Sequence, residues 1–188
     1  MSQPIYGHGA LPLEANITAA RAFWYDRAGW EAGKAMVSQG ITGNIYLNYA
    51  GHTIATRKGE ALTLCTQGFN TMTTRRYLGA VLAEVGWCCV ALGGRTIALK
   101  GAVRYWPTNT ELKALVAAGE AVIVGDDQGT AIPHGGLLPQ YELATDRMGG
   151  KVITDRTNGQ DVYLQFEADL EALGDNPSQD TLAQYFNQ

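Results

Sequence analysis

Apolar residues recur every three or four positions in the first part of the chain, and this spacing predicts a helix over 17–38. Asn16 is its predicted N-cap and Gly40 its predicted stop. Gly29 and Gly33 lie inside the helix, and each weakens it by about 1 kcal/mol relative to alanine. We therefore expect a bend near Gly29.

The pattern then changes to alternation of apolar and polar residues, which is typical of strands with one buried face. Residues 44–65 form three such runs separated by turns, and they predict an antiparallel meander. Over 87–100, two β-prone runs flank Gly93-Gly94, which predicts a hairpin with a two-residue turn.

A second helix is predicted over 74–85, where Leu78 and Leu82 belong to an apolar stripe. Thr73 or Thr74 is its predicted N-cap. The two helices, 17–38 and 74–85, are expected to cover the sheet formed by the meander and the hairpin.

Shorter elements follow. Thr108 and Glu111 have capping-box spacing and predict a helix from Asn109 to Ala118, while Asn158-Gly159 predicts a hairpin. The other predicted segments are strands at 102–106, 121–124, 151–155 and 161–166, a loop over 125–140, and helices at 167–173 and after Ser178. Because strands and helices do not alternate strictly, the pattern predicts an α+β fold, an antiparallel sheet of short hairpins covered by helices.

Charge divides the chain into two parts. Residues 1–106 contain ten Lys or Arg and five Asp or Glu, whereas residues 107–188 contain four and thirteen. We predict a basic α+β core at 1–106 and an acidic α+β part at 107–188, and whether the two form one domain stays open. The alternative to two electrostatic faces is that these charges are scattered over solvated surface.

A cytoplasmic location is expected. No run of about 18 apolar residues exists that could span a membrane, and the first residues lack the basic and apolar regions of a secretory signal. The three cysteines, Cys65, Cys88 and Cys89, form no disulfide framework and are expected to be reduced.

The sequence carries no recognisable catalytic signature, so a binding protein is favoured over an enzyme. It has no Gly-x-Ser-x-Gly elbow, phosphate-binding loop or dinucleotide fingerprint, and no cofactor is expected. Asp126, Asp127 and His134 share one loop, which we interpret as solvated rather than metal-binding. Cys88 and Cys89 are adjacent on a strand, so one should face inward and one outward, and buried inert thiols are favoured.

One segment suggests a binding site for an anion. The start of the 74–85 helix offers unpaired backbone N–H groups, threonine hydroxyls and arginines, all of which suit phosphate oxygens. The predicted ligand-binding residues are Thr73, Thr74, Arg75 and Arg76, together with Arg57 and Lys58 from a turn of the meander. The alternative is that a threonine only caps the helix while the arginines are solvated. A nearby tyrosine or tryptophan could stack on a nucleotide base.

The stretch from Gly51 to Leu82 resembles a pattern in small uncharacterised accessory proteins of bacteriophages. The matching residues are Ile54-Ala55-Thr56, Leu62-Thr63-Leu64, Gly68-Phe69 and Thr71-Met72-Thr73-Thr74. The resemblance implies a phage or prophage origin, and hence the cytosol of a host cell. No catalytic residue is implied by it.

These observations favour a phage-encoded, non-enzymatic binding protein that antagonises host defence. Its expected partner is an anionic small molecule, a nucleotide signal that it sequesters, or a host defence protein that it blocks. Two alternatives stay open, a small nucleotide-processing enzyme and a structural or assembly protein of the virion. Turnover of the ligand separates the enzyme from the binder.

We also predict a homo-oligomer, because four tryptophans and nine tyrosines are many for a chain of 188 residues, and aromatic residues are enriched at interfaces. Light scattering at micromolar concentration should give a mass of at least twice the 20.2 kDa of one chain. A mass equal to that of one chain would contradict the prediction.

Overall fold

The fold class is the predicted one. A computed structural model describes residues 12–101, 107–146, 148–164 and 167–186. Within these ranges the chain combines helices with three antiparallel sheets of short strands. The strand predicted at 102–106 lies outside the described residues.

The elements are numbered in chain order. The helices are α1 (Glu14–Trp24), α2 (Met72–Ala83), α3 (Asn109–Ala117), α4 (Glu167–Leu173) and α5 (Gln179–Phe186). The first strands are β1 (Glu31–Ala32), β2 (Ala35–Gln39), β3 (Ile45–Tyr49), β4 (His52–Lys58), β5 (Ala61–Leu64), β6 (Trp87–Leu92) and β7 (Arg95–Lys100). The later strands are β8 (Ala121–Ile123), β9 (Thr130–Ile132), β10 (Tyr141–Thr145), β11 (Lys151–Asp155) and β12 (Gln160–Leu164).

The largest sheet has six strands in the order β1-β2-β3-β4-β5-β9. Its centre is the predicted meander, in which β3, β4 and β5 pair in sequence order. At one edge β9 pairs with β5, although the whole of 125–140 was predicted to be loop. The strand is only three residues long, so alternation along it is too short to stand out from the surrounding glycines and prolines.

The first predicted helix is wrong in its second half. Helix α1 ends at Trp24, and β2 pairs with β3 where the helix was expected to continue. Gly29 and Gly33 have φ values of +90° and +61°, which interrupt a right-handed helix. In β2 the buried Ala35 and Val37 flank the exposed Met36, so the apolar spacing there has period two.

The start of α1 also differs from the prediction. Its N-cap is Leu13, and Asn16 lies one turn further along, where its Oδ1 accepts a hydrogen bond of 2.9 Å from the Leu13 N–H. Asn16 therefore gives the Leu13 N–H a hydrogen-bond partner from inside the first turn rather than from the cap position.

The hairpin predicted around Gly93-Gly94 is present, but the expectation that it shares one sheet with the meander is wrong. Its strands belong to a second sheet with the order β6-β7-β8, because β7 pairs with β8. Cys88 and Cys89 do point to opposite faces of β6, but both are buried. Cys89 belongs to the main core with α1 and α2, whereas Cys88 packs in a smaller cluster with Leu112 and Leu115 of α3. The expected outward-facing cysteine is therefore covered by a helix.

Helix α2 lies at the centre of the main core. Leu78, Val81 and Leu82 are fully buried, which confirms the predicted apolar face. The helix packs against α1, β4 and β6. The indole Nε1 of Trp24 donates a hydrogen bond of 2.9 Å to the carbonyl oxygen of Val81, so the buried indole has a polar partner.

The chain forms two compact units, Met1–Leu137 and Leu138–Gln188. The predicted charge boundary lies earlier, at 106, and the strand β8 beyond it pairs with β7 in the first unit. The charge-based division of the domains stays a prediction.

The second unit contains the sheet β10-β11-β12 with α4 and α5. The predicted Asn158-Gly159 hairpin is present between β11 and β12. Its small core includes Ile153, Leu173 and Leu182.

No helix in the described parts of the chain is both long and apolar enough to cross a bilayer.

Leu82→Ala should lower the free energy of unfolding by about 2–5 kcal/mol, because truncation of a fully buried leucine leaves a cavity. Chemical denaturation measures this loss. The matched control is Ile41→Ala, since Ile41 is fully exposed and its truncation should change stability by less than about 0.5 kcal/mol. Equal small losses in both variants would place this face of α2 in solvent.

Candidate functional site

Thr71 is the N-cap of α2, and the predicted caps Thr73 and Thr74 are wrong. The Thr71 backbone is extended, with φ of −88° and ψ of 160°, and its Oγ1 accepts a hydrogen bond of 3.2 Å from the Thr74 N–H. Several threonines of equal capping preference occur together here. The position at which the incoming loop turns into the helix therefore selects the cap.

That loop is anchored from another part of the fold by Asp126. One carboxylate oxygen accepts hydrogen bonds from Thr66 Oγ1 at 2.5 Å and from Asn70 Nδ2 at 3.1 Å. Asn70 continues the network, since its Oδ1 accepts from Thr96 Oγ1 and its Nδ2 also donates to the Gly94 carbonyl oxygen. Both ends of the segment 66–70 are thus held against the β6-β7 and β8-β9 connections.

A cleft of about 500 Å³ lies where this loop, the β3-β4 turn and the first turn of α2 meet. We call it the α2 cleft. It is lined by Tyr49, Ala50, His52, Ile54, Thr66, Phe69, Thr71, Thr73 and Thr74. Among the described residues, no lysine, arginine, aspartate or glutamate contributes to this lining.

Aromatic rings form one side of the cleft. The ring centroids of His52 and Phe69 are 4.5 Å apart, with 44° between their planes. Phe69 remains 48% exposed, so a large apolar ring faces solvent at the cleft. The ring centroids of Tyr49 and Tyr77 are 4.9 Å apart. Burial, together with Tyr49, raises the pKa of the Tyr77 phenol above its usual range.

The backbone of the β3-β4 turn brings these rings into position. Ala50 and Gly51 have φ values of +50° and +84°, a pair that matches the type I′ turn favoured in two-residue hairpins. The Ala50 N–H donates to the Lys34 carbonyl oxygen at 2.8 Å, which holds the turn against the neighbouring strand connection. Tyr49 and His52, the residues on either side of the turn, pair across the hairpin.

Thr73 and Thr74 are the predicted site residues that the fold brings into the cleft. Thr73 is exposed, whereas Thr74 is buried and its Oγ1 lies 3.1 Å from Thr71 Oγ1. An exposed hydroxyl and the first backbone N–H groups of α2 are thus available to a ligand.

Arg57 lies elsewhere and serves the fold. Its guanidinium pairs with Asp26 and donates to the carbonyl oxygens of Phe23 at 3.2 Å and Gly59 at 3.0 Å. It also lies 5.8 Å from the ring centroid of Trp24. Only 11% of the Arg57 side chain is exposed.

The other predicted cations do not line the cleft either. Arg75 folds back along the loop, where its Nη1 donates to the Asn70 carbonyl oxygen at 2.5 Å. Arg76 is half-buried, and Lys58 is exposed at the end of β4. The structure does not bring these cations together with Thr73 and Thr74, and whether any of them binds a ligand stays a prediction.

His134 is committed to the backbone. The Gly136 N–H donates to its Nδ1 at 3.0 Å, so Nδ1 carries no proton and Nε2 donates to the Glu60 carbonyl oxygen at 2.6 Å. Asp126, in the same predicted loop, already accepts the loop-anchoring hydrogen bonds. In the described ranges, no three His, Cys, Asp or Glu side chains form a group that could hold a metal ion.

Burial raises the pKa of the Cys89 thiol to about 12. The thiol is therefore protonated at neutral pH, and a protonated thiol is a poor nucleophile.

Sequence reasoning missed the aromatic side of the cleft as a binding surface. His52 and Ile54 are two residues apart in the same predicted strand, so their closeness was predictable from the sequence. The ring contact between His52 and Phe69 was not predictable, because His52 lies on β4 and Phe69 lies in the loop before α2. Phe69 follows Gly68, whose φ of +74° turns the chain so that the ring reaches the cleft.

Comparison of the chain with protein-family models, with curated proteins and with solved structures found no match.

Thr71→Ala should lower the free energy of unfolding by about 1 kcal/mol, because the variant loses the capping hydrogen bond of α2. Thr73→Ala is the matched control. Its side chain is exposed and does not cap the helix, so the change should stay within about 0.5 kcal/mol. Urea denaturation without ligand measures both, and a larger loss in Thr73→Ala would restore the original capping prediction.

Proposed function

We propose that the protein binds a nucleotide-class small molecule in the α2 cleft and releases it unchanged. The observation that carries this proposal is the half-exposed Phe69 ring, which packs against His52 in a cleft that the exposed Thr73 also lines. A flat apolar surface next to polar donors suits a base joined to a sugar or phosphate.

The aromatic side supplies the stacking surface. Every nucleobase has a π-face, and stacking on an aromatic side chain contributes about 1–3 kcal/mol per base. Phe69 is exposed enough to offer this surface, and its ring packs against the ring of His52. Pre-positioning of this kind lowers the entropic cost of binding.

The start of α2 supplies polar groups. Thr71 and Thr73 are exposed at the start of α2, where backbone N–H groups lack partners within the helix and the helix dipole is positive. Hydroxyl and N–H donors at a helix N-terminus suit sugar oxygens or one phosphate group. Ile54 adds an apolar side chain to the cleft lining.

The biological setting of the proposal comes from the phage-like stretch from Gly51 to Leu82. That stretch contains every residue of the cleft lining except Tyr49 and Ala50. We therefore extend the proposal to a phage-encoded protein that antagonises host defence by sequestering a nucleotide signal.

Phe69→Ala should weaken the binding of ribonucleoside 5′-monophosphates about 5- to 150-fold, as expected for the loss of one base-stacking contact. Isothermal titration calorimetry with the four monophosphates measures this. The matched control is Met72→Ala, because Met72 is exposed to a similar extent, 44% against 48%, but does not line the cleft. If both variants lose the same affinity for the monophosphates, Phe69 does not stack on the base.

The chemical state of the released ligand tests whether the protein binds it without catalysis. After incubation with bacterial lysate, native mass spectrometry should show a small-molecule adduct, and denaturation should return that molecule unchanged. A converted product would indicate the enzyme alternative. Retention of a host protein without a small molecule would instead indicate a blocking protein.

A further inference from the structure

We infer that the ligand of the α2 cleft carries little negative charge, and that it is a nucleoside or a nucleoside monophosphate rather than a di- or triphosphate. This inference rests on the proposed function and specifies the ligand that the same cleft selects. It follows from the lack of cations among the described lining residues and from a carboxylate that is hydrogen-bonded to one of them.

Two of the cations close in sequence to the cleft, Arg57 and Arg75, are held by other groups of the protein. Arg57, whose side chain is mostly covered, pairs with the exposed Asp26, and the Nη1 of Arg75 donates to the Asn70 carbonyl oxygen. Sites for polyphosphates gather arginine, lysine or a metal ion around the phosphates. Among the described residues, the lining of the α2 cleft contains no arginine or lysine.

A carboxylate is hydrogen-bonded to the lining of the cleft. Asp126 accepts a hydrogen bond from Thr66, which is itself a lining residue, at 2.5 Å. It also holds Asn70, which precedes the cap of α2. Asp126 is exposed, and charges within about 8 Å of each other are only partly screened at physiological ionic strength. Its negative charge therefore opposes each further phosphate.

The available donors match one small polar group. Thr71 Oγ1 already accepts from the Thr74 N–H, and the Thr74 side chain is buried. The exposed Thr73 and the first-turn N–H groups of α2 remain, and a helix N-terminus accommodates a single phosphate or sugar hydroxyls. Affinity therefore depends on stacking and hydrogen bonds, and its dependence on salt is weak.

The test measures the dissociation constants of adenosine, AMP, ADP and ATP, and of the guanosine series, by calorimetry at about 50 and 300 mM NaCl. Within the better-binding series, we expect the nucleoside and the monophosphate to bind within about tenfold of each other and the triphosphate to bind more weakly. The monophosphate constant should change less than about threefold with salt, because few ions are released.

Two variants test the electrostatic cause. Asp126→Asn removes one negative charge and keeps an oxygen that can accept the hydrogen bonds from Thr66 and Asn70. It should therefore strengthen ATP binding about three- to tenfold relative to adenosine binding in the same variant. Thr73→Lys places a cation in the cleft and should strengthen ATP binding at least about tenfold relative to adenosine. Thr73→Gln is the neutral control for side-chain length, and thermal unfolding confirms that each variant is folded.

The outcomes separate the two proposals. If the wild-type protein binds the triphosphate about tenfold or more tightly than the monophosphate, the proposed function stands and the inference on charge is overturned. If no nucleoside or nucleotide binds at concentrations up to about 1 mM, the proposed function fails and the inference fails with it. Preference for the nucleoside or monophosphate, together with the gain in Thr73→Lys, supports the inference.

Discussion

The burial of α2 is the constraint on which the rest of the first unit depends. Leu78, Val81 and Leu82 are fully enclosed, and the helix contacts α1, β4 and β6. Because close-packed side chains leave little freedom to slide, the axis of α2 is determined by its core face. Its N-terminus then emerges beside the β3-β4 turn, and this placement brings a helix end next to aromatic residues from a different part of the chain.

The cleft also requires a loop that enters α2 in one conformation. Asp126 supplies this by holding Thr66 and Asn70 with a single carboxylate oxygen. The segment between them contains Gln67 and Gly68, both with positive φ, a backbone conformation that is uncommon for a non-glycine residue. The hydrogen bonds from Asp126 thus stabilise a loop whose local preference alone would not select this path.

The arginines show why charge along a sequence is a weak guide to a binding site. Arg57 has the residue type and the neighbourhood expected of a phosphate ligand, yet its guanidinium joins α1 to the meander through Asp26 and Phe23. Arg75 stabilises the loop before its own helix. In both cases the planar group with several donors that suits phosphate also suits carbonyl and carboxylate groups of the protein itself.

The two hairpin turns at Gly93-Gly94 and Asn158-Gly159, and the capping box of Thr108 and Glu111, were predictable because each depends on residues close in sequence. The apolar face of α2 was predictable because its period reflects burial on one side.

By itself, the sequence determined the fold class, most strands and the general place of a polar helix start. The tertiary structure decided that α1 ends at Trp24, that Thr71 caps α2, and that His52 and Phe69 meet. These outcomes depend on strand pairing and on hydrogen bonds between residues far apart in the chain, such as Thr66 with Asp126. Local propensity carries no information about such partners, since their proximity exists only after the core has packed.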